Sequence, residues 1–195
     1  DGLDAITMAR VAKAVDSSPM ALYRHVSNRE DLLESMLDEL MRRIEIELPE
    51  DAPWQENIRA WMANVRSYFL RHPKTLSLLD FQAGSSISPS WLKAVGELIP
   101  PLRSAGFSET GLAKARLWTS RITLGGILQE IPAPISDTAA LVGGLGALPG
   151  NDSVRWIDLL PALERLDDET FFRISQEQTI RTLEEWLADS SSAEA

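Results

Sequence analysis

Past the first thirty residues, every long segment repeats apolar residues at three- and four-residue spacing, and no strand signal is expected to compete with them. Leu32, Leu33, Met36, Leu37, Leu40, Met41, Ile44 and Leu48 form one stripe, which predicts a helix from about Arg29 to Leu48, closed by Pro49. Trp54, Ile58, Trp61, Met62, Val65 and Phe69 mark the next helix, ending near His72-Pro73, and a short one follows through Leu76 and Leu79. Pro89 to Ser104 carries Trp91, Leu92, Val95, Leu98, Ile99 and Leu102, but Pro100-Pro101 must kink or end it early. A helix capped by Ser108 and running to about Ile131 is apolar on nearly all sides. One core cannot cover every face of it, so a second buried surface against another subunit is expected. Gly125-Gly126, each costing ~1 kcal/mol relative to Ala inside a helix, would permit close helix approach there. The last helix, from about Asp168 to Asp189, shows Phe172, Thr179, Ile180, Leu183, Trp186 and Leu187. Helices 108–131 and 168–189, paired with their symmetry mates, would make a four-helix homodimer interface.

The first thirty residues break into shorter pieces. Thr7 can cap a helix whose Val11, Ala12 and Val15 share one face; after the Asp16-Ser17-Ser18 break, Ser18 caps a second, with Pro19 at its tolerated first position and Leu22 and Val26 facing inward. Such a pair packs as a helix-turn-helix. The second helix then leaves Ser18, Met20, Ala21, Tyr23, Arg24 and His25 on its outer surface, next to Ser17 in the turn. Small groups at Ser18 and Ala21 let the helix approach base edges, Met20 can touch a thymine methyl, and Tyr23, Arg24 and His25 can donate to phosphate oxygens.

Charge agrees once it is divided. The chain carries a net charge of -10, which alone argues against nucleic acid. Residues 7–29 hold Arg10, Lys13, Arg24 and Arg29 against Asp16 only, so that segment is net +3 and everything else net -13. A positive head would face DNA while the acidic body points away. Composition bounds the remainder: 195 residues, 44% hydrophobic, can bury a substantial core. No apolar run approaches the ~20 residues that span a bilayer. The absence of Cys excludes disulfides and thiolate metal sites, and with only His25 and His72 a histidine metal site is not expected. No nucleophile, base and orienting group come together by spacing, so neither a catalytic residue nor a cofactor is assigned.

The order Thr-Met-x-x-Val-Ala-x-x-Val, then Ser-Pro-Met-Ala-Leu-Tyr-Arg-His-Val, then Asn28-Arg29-Glu30-Asp31-Leu32-Leu33 closely resembles the DNA-binding segment of the tetracycline-repressor (TetR) family. The resemblance covers about the first forty residues. It implies an all-α protein with an N-terminal helix-turn-helix head and a C-terminal helical-bundle domain for ligand binding and dimerisation. It also implies a cytoplasmic transcription regulator, most often a repressor, that binds a palindromic operator and leaves it when a small effector binds. Thr7 and Arg10 would lie near the DNA backbone, Ser18, Pro19, Met20 and Ala21 in or at the major groove, and Tyr23, His25 and Arg29 on phosphates. A pendulum-like movement of the 29–48 helix is the transmitter the resemblance implies. Three departures stand out. Asp16 occupies the usual Gly position and Ser17 an aliphatic one, Arg29 replaces a Lys, and the chain opens at Asp1-Gly2-Leu3-Asp4-Ala5, where the family has the link after a first helix. The head is therefore expected to be N-terminally truncated.

The expected division is 1–28 for the head, 29–48 for the connecting helix and 49–195 for the effector-binding and dimerisation domain. Six Trp and five Phe at helical spacing are mostly core, yet a body this aromatic can hold an apolar or aromatic effector; Trp61, Phe69, Phe81, Trp91 and Trp118 are the candidates for its lining. Gly143-Gly144-Leu145-Gly146 lacks the strand and Lys-Ser/Thr of a phosphate loop and reads as linker, within a Pro/Gly-rich span from Pro132 to Ser153. Asn151-Asp152-Ser153 matches a glycosylation acceptor without a secretory context. Two other classes compete: a helical ligand-binding protein of the same fold without operator binding, and an all-helical enzyme with a chance helix-turn-helix.

Overall fold

Thr7 and Ser18 each spend a side-chain oxygen on starting a helix, and that fixes the head. In the computed structural model, which describes residues 3–81, 88–132, 142–145, 156, 158–163 and 165–193, a 3-10 turn at Leu3–Ala5 leads into α1 (Met8–Ala14), where Thr7 Oγ1 accepts from the Arg10 amide at 3.3 Å. Two reverse bonds close α1: the Ser17 amide donates to the Ala12 carbonyl (2.8 Å) and the Asp16 amide to that of Lys13 (3.4 Å). This is the Schellman arrangement, which needs a left-handed residue, and Asp16 supplies it with φ +50°. The turn thus reaches this geometry without a glycine. Helix α2 (Pro19–Leu22) follows, with Ser18 Oγ accepting from the Ala21 amide at 3.2 Å. It is shorter than the pattern through Val26 predicts, because i→i−3 bonds (Arg24 to Ala21, His25 to Leu22) tighten its exit into turns.

Helix α3 (Arg29–Met41) is capped by Asn28, which accepts from the Asp31 amide at 2.8 Å. It ends seven residues short of the expected Leu48. Arg43 and Ile44 donate to Leu40 and Met41, closing the last turn, and the chain continues as irregular backbone. The physical reason lies in residues 44–48: Ile44, Ile46 and Leu48 turn inward and Glu45 and Glu47 outward, a two-residue alternation that also satisfies the i, i+4 helical test at Ile44 and Leu48. Asn64 of the next helix donates to the Glu47 carbonyl at 2.9 Å and holds this segment in place.

The body is built around α4 (Trp54–Arg71), which packs against α7 (Ile99–Ser104), α8 (Glu109–Glu130) and α10 (Asp168–Ala193). Helices α5 (Thr75–Phe81) and α6 (Pro89–Gly96) pack against α3, and a short α9 spans Leu160–Leu163. The single helix expected over Pro89–Ser104 is two, because Pro100 and Pro101 sit in the first turn of α7, where a missing N–H costs nothing. Residues 142–145 are helical, so the Gly143-Gly144 pair is not linker backbone; Gly146 and Asn151–Ser153 lie outside the described residues. Leu33 and Leu37 of α3, Ile58, Trp61, Met62 and Phe69 of α4, Leu98 and Leu102 beside them, and Leu183 of α10 are buried in one core. Each such side chain stabilises the fold by roughly 1.5–3 kcal/mol.

Helix α8 buries hydroxyl residues beside Leu112, Ala115 and Ile127 and leaves other apolar residues outside. Thr119, Ser120 and Thr123 are buried on its inner side, while Leu117, Trp118, Ile122 and Leu128 are exposed. Phe171 and Ile174 of α10 are also exposed. Among the described residues no helix is long and apolar enough to cross a membrane.

Candidate nucleic-acid interface

The capped turn presents one continuous exposed strip. Ser17, Ser18, Pro19 and Met20 are exposed, Met20 at 73%; Tyr23 is 52% exposed, Arg24 and His25 are exposed, and Ala21 is half-buried beneath them. The structure therefore brings the expected groove-facing residues and three of the four expected phosphate donors, Tyr23, Arg24 and His25, onto one short segment. Thr7 and Arg10 are exposed on α1, and Arg10 Nη1 reaches the Ala5 carbonyl at 3.5 Å. Lys13, counted above only as charge, is exposed on the same helix.

Arg29 is placed differently from its expected role on phosphate. Its Nε donates to the Ile6 carbonyl at 2.9 Å and its Nη2 to that of Leu3 at 2.7 Å, in a partly buried position. The planar guanidinium reaches the two carbonyls from two of its nitrogens in one fixed fork, so Arg29 clasps the segment before α1 onto the start of α3.

The proposed aromatic lining is not gathered around one space. Trp61 is fully buried and donates its Nε1–H to the Ala94 carbonyl at 2.7 Å; Phe69 is equally buried, and Trp91 packs 6.5 Å from Trp61. Trp118 lies on the outer face of α8, edge-on to Trp186 at 5.7 Å, with Lys114 Nζ 3.7 Å above the Trp186 ring. The Phe81 side chain lies outside the described residues. A cavity of about 440 Å³ opens instead between α8 and the start of α10, lined by Ile122, Gly125, Gly126, Phe171 and Phe172 with Arg121 among them. Aromatic spacing identifies burial, not what the ring is buried against, and the Gly125-Gly126 pair, expected to permit close helix approach, lines this cavity instead.

Arg66 holds two residues of that lining, Glu130 and Phe172, from behind. It donates to both oxygens of Glu130 (2.9 and 2.8 Å) and to Glu169 (2.7 Å), and its guanidinium lies 4.5 Å from the Phe172 ring centre. The bond to Glu130 raises its pKa above the ordinary Arg value. On α3, Asp38 accepts from Ser88 Oγ (2.7 Å), the Ser90 amide (2.9 Å) and Ser90 Oγ (3.1 Å) at the start of α6. Among the described residues no group of three or more His, Cys, Asp or Glu is placed to hold a metal ion.

No family model matches the chain. A helix-turn-helix-type transcriptional regulator of Saccharopolyspora erythraea is 25% identical over 130 residues, covering 67% of this chain and 54% of that protein. The chain spans about half the length of the curated relatives it matches. The crystal structure of a possible TetR-family transcriptional regulator from Streptomyces coelicolor A3(2) matches over 95% of this chain and 92% of that one, at 25% identity and a TM-score of 0.75. The chain shares the fold of this TetR-family regulator. ActR of Streptomyces coelicolor, in its complex with actinorhodin, shares the TetR fold at a TM-score of 0.71 and 24% identity, over 94% of this chain and 88% of that one. The likeness in fold thus runs through the body as well as the first forty residues.

Proposed function

We propose that this chain is a DNA-binding transcription regulator, without catalytic activity, that represses from a palindromic operator in the cytoplasm and is released by a small apolar or aromatic effector. The observation that carries this is the exposed strip from Ser17 to His25, set on a turn that Asp16 closes in the left-handed conformation. Nothing in the fold of a binding protein alone requires Met20 to stand 73% exposed beside Tyr23, Arg24 and His25. The regulator named among its relatives and the ligand carried by ActR support the same reading.

The working unit is a homodimer. Two heads must reach successive major grooves about 34 Å apart, which a single copy cannot do. The exposed apolar residues of α8 and α10 supply the contact, since a helix with Trp118, Ile122 and Leu128 outward needs a second surface to cover them. An effector that binds better when the heads are wrongly spaced lowers operator affinity by that difference.

The test is a quantitative shift assay on the DNA upstream of the chain's own gene. Substituting Met20 or Ala21 should change which bases are preferred, while Tyr23→Phe weakens binding to all sequences alike. An unchanged base preference after both substitutions, or a monomer under binding conditions, would overturn the proposal.

A further inference from the structure

We infer that Asp38 is a positioning residue for DNA binding: gripped by the start of α6, its carboxylate fixes the angle at which the body holds the recognition strip, and with it the half-site spacing that two heads accept. This rests on the regulator reading for its effect on DNA, though not for the positioning itself. The head is joined to α3 by directional bonds. The Ser27 amide donates to Asp31 Oδ2 at 2.7 Å while Asn28 Oδ1 accepts from the Asp31 amide, a reciprocal cap at the start of that helix. One residue on from Asn28, Arg29 holds the Leu3 and Ile6 carbonyls ahead of α1. The recognition strip is thus tied to α3 on both sides, and the direction of α3 becomes the direction of the strip.

What fixes that direction lies at the body end. Leu33, Leu37 and Met41 of α3 are buried in the common core, but apolar burial is non-directional and holds a helix in place without choosing its angle. Hydrogen bonds are directional. Asp38 accepts three through both oxygens, Oδ1 from Ser88 Oγ and the Ser90 amide and Oδ2 from Ser90 Oγ. Tyr68 offers α3 a single bond, to the Leu40 carbonyl, about which the helix can still turn. The grip on Asp38 is itself anchored in the body. Ser88 Oγ accepts from the Trp91 amide at 3.1 Å, Trp91 packs against Trp61 of α4, and Trp61 donates to the Ala94 carbonyl of α6. Past Asp38 close packing does not replace these bonds: a cavity of about 410 Å³ is lined by Ser90 and Ala94 of α6 and by Met41 and Ile44 at the end of α3.

The chain has no Cys, so Glu30→Cys on α3 and Ala63→Cys on α4, both exposed, take a pair of spin labels in the full chain. Labelled protein is diluted into unlabelled protein, and the distance distribution within one copy is read by double electron-electron resonance. Asp38→Ala should broaden that distribution. Asp38→Asn should restore it, because the amide keeps the Oδ1 acceptor and its Nδ2–H can donate to Ser90 Oγ. A merely structural role would lower the thermal midpoint of Asp38→Ala and leave the width alone. Shift assays then use the upstream operator and versions with a base pair inserted or removed between its half-sites. Asp38→Ala should weaken binding at the best spacing by about 10-fold or more and flatten the preference among spacings, since a head spread over several orientations binds only through its correctly placed fraction. The proposal is overturned if the Asp38→Ala distribution is as narrow as that of the wild type, or if Asp38→Asn is as broad as Asp38→Ala. A wild-type chain that binds no DNA would refute the regulator reading, and the distance widths would still decide whether Asp38 positions the head.

Discussion

Asp16 and Arg29 are where single residues decide the shape of the head. At φ +50°, Asp16 occupies a region that costs an ordinary side chain roughly 1–2 kcal/mol and a β-branched one more. Asp16→Val should therefore lower the unfolding free energy by about 1–2 kcal/mol, while Asp16→Gly keeps or raises it. Urea denaturation at constant slope measures both, and equal midpoints for the two variants would contradict the turn assignment. Arg29→Ala removes two bonds from a charged donor and should destabilise the head by about 1–3 kcal/mol. Arg24→Ala, by contrast, should leave stability unchanged and reduce the salt slope of DNA binding by about 0.9. The spacing of Thr7, Ser18 and Leu22 made the helix-turn-helix legible, because capping and helical periodicity are local. The fate of Arg29 was not, since its partners Leu3 and Ile6 lie 26 and 23 positions away and are backbone oxygens that leave no trace in composition.

Among the elements, α3 carries the clearest lesson. Its start, capped by Asn28, follows from residue type, but its end does not: Ile44 and Leu48 serve helical and two-residue periodicities equally, and only the packed body selects the second. Tyr68 of α4 donates its hydroxyl to the Leu40 carbonyl near this end, and Asp38 caps α6 one turn earlier. The Ser88 hydroxyl, then the Ser90 amide, hold the Asp38 carboxyl below the usual carboxylate range. A depressed native value means that the contribution is present above the unfolded Asp range and is lost as pH falls through the native one. Asp38→Ala should cost about 1 kcal/mol at neutral pH, and its deficit against the wild type should shrink below roughly pH 4. Thermal unfolding across that range checks it; a deficit independent of pH would rule out the ionised cap. Arg66 is the counterpart that sequence could not yield, because Glu130 and Glu169 lie 64 and 103 residues from it.

At the scale of the molecule, the exposed apolar face of α8 and α10 was legible as an excess: a helix apolar on all sides has more surface than one core can use. The structure adds which side is left over, with Thr119 and Thr123 inside and Ile122 outside. Ile122→Glu should convert the dimer to monomer in sedimentation without lowering the thermal midpoint of the monomer fold, and DNA affinity should fall with it. A variant that remains dimeric would place the contact elsewhere. The cavity between α8 and α10 was not legible, since it depends on how α10 returns alongside α8.

Asp38 also sets a length. Nine residues separate it from Arg29, roughly 14 Å of helix. With the carboxylate fastened to α6 acting as pivot, a tilt of about 10° in that lever arm carries the end holding the head through roughly 2.3 Å, a large part of one base-pair step, while the fastened end hardly stirs.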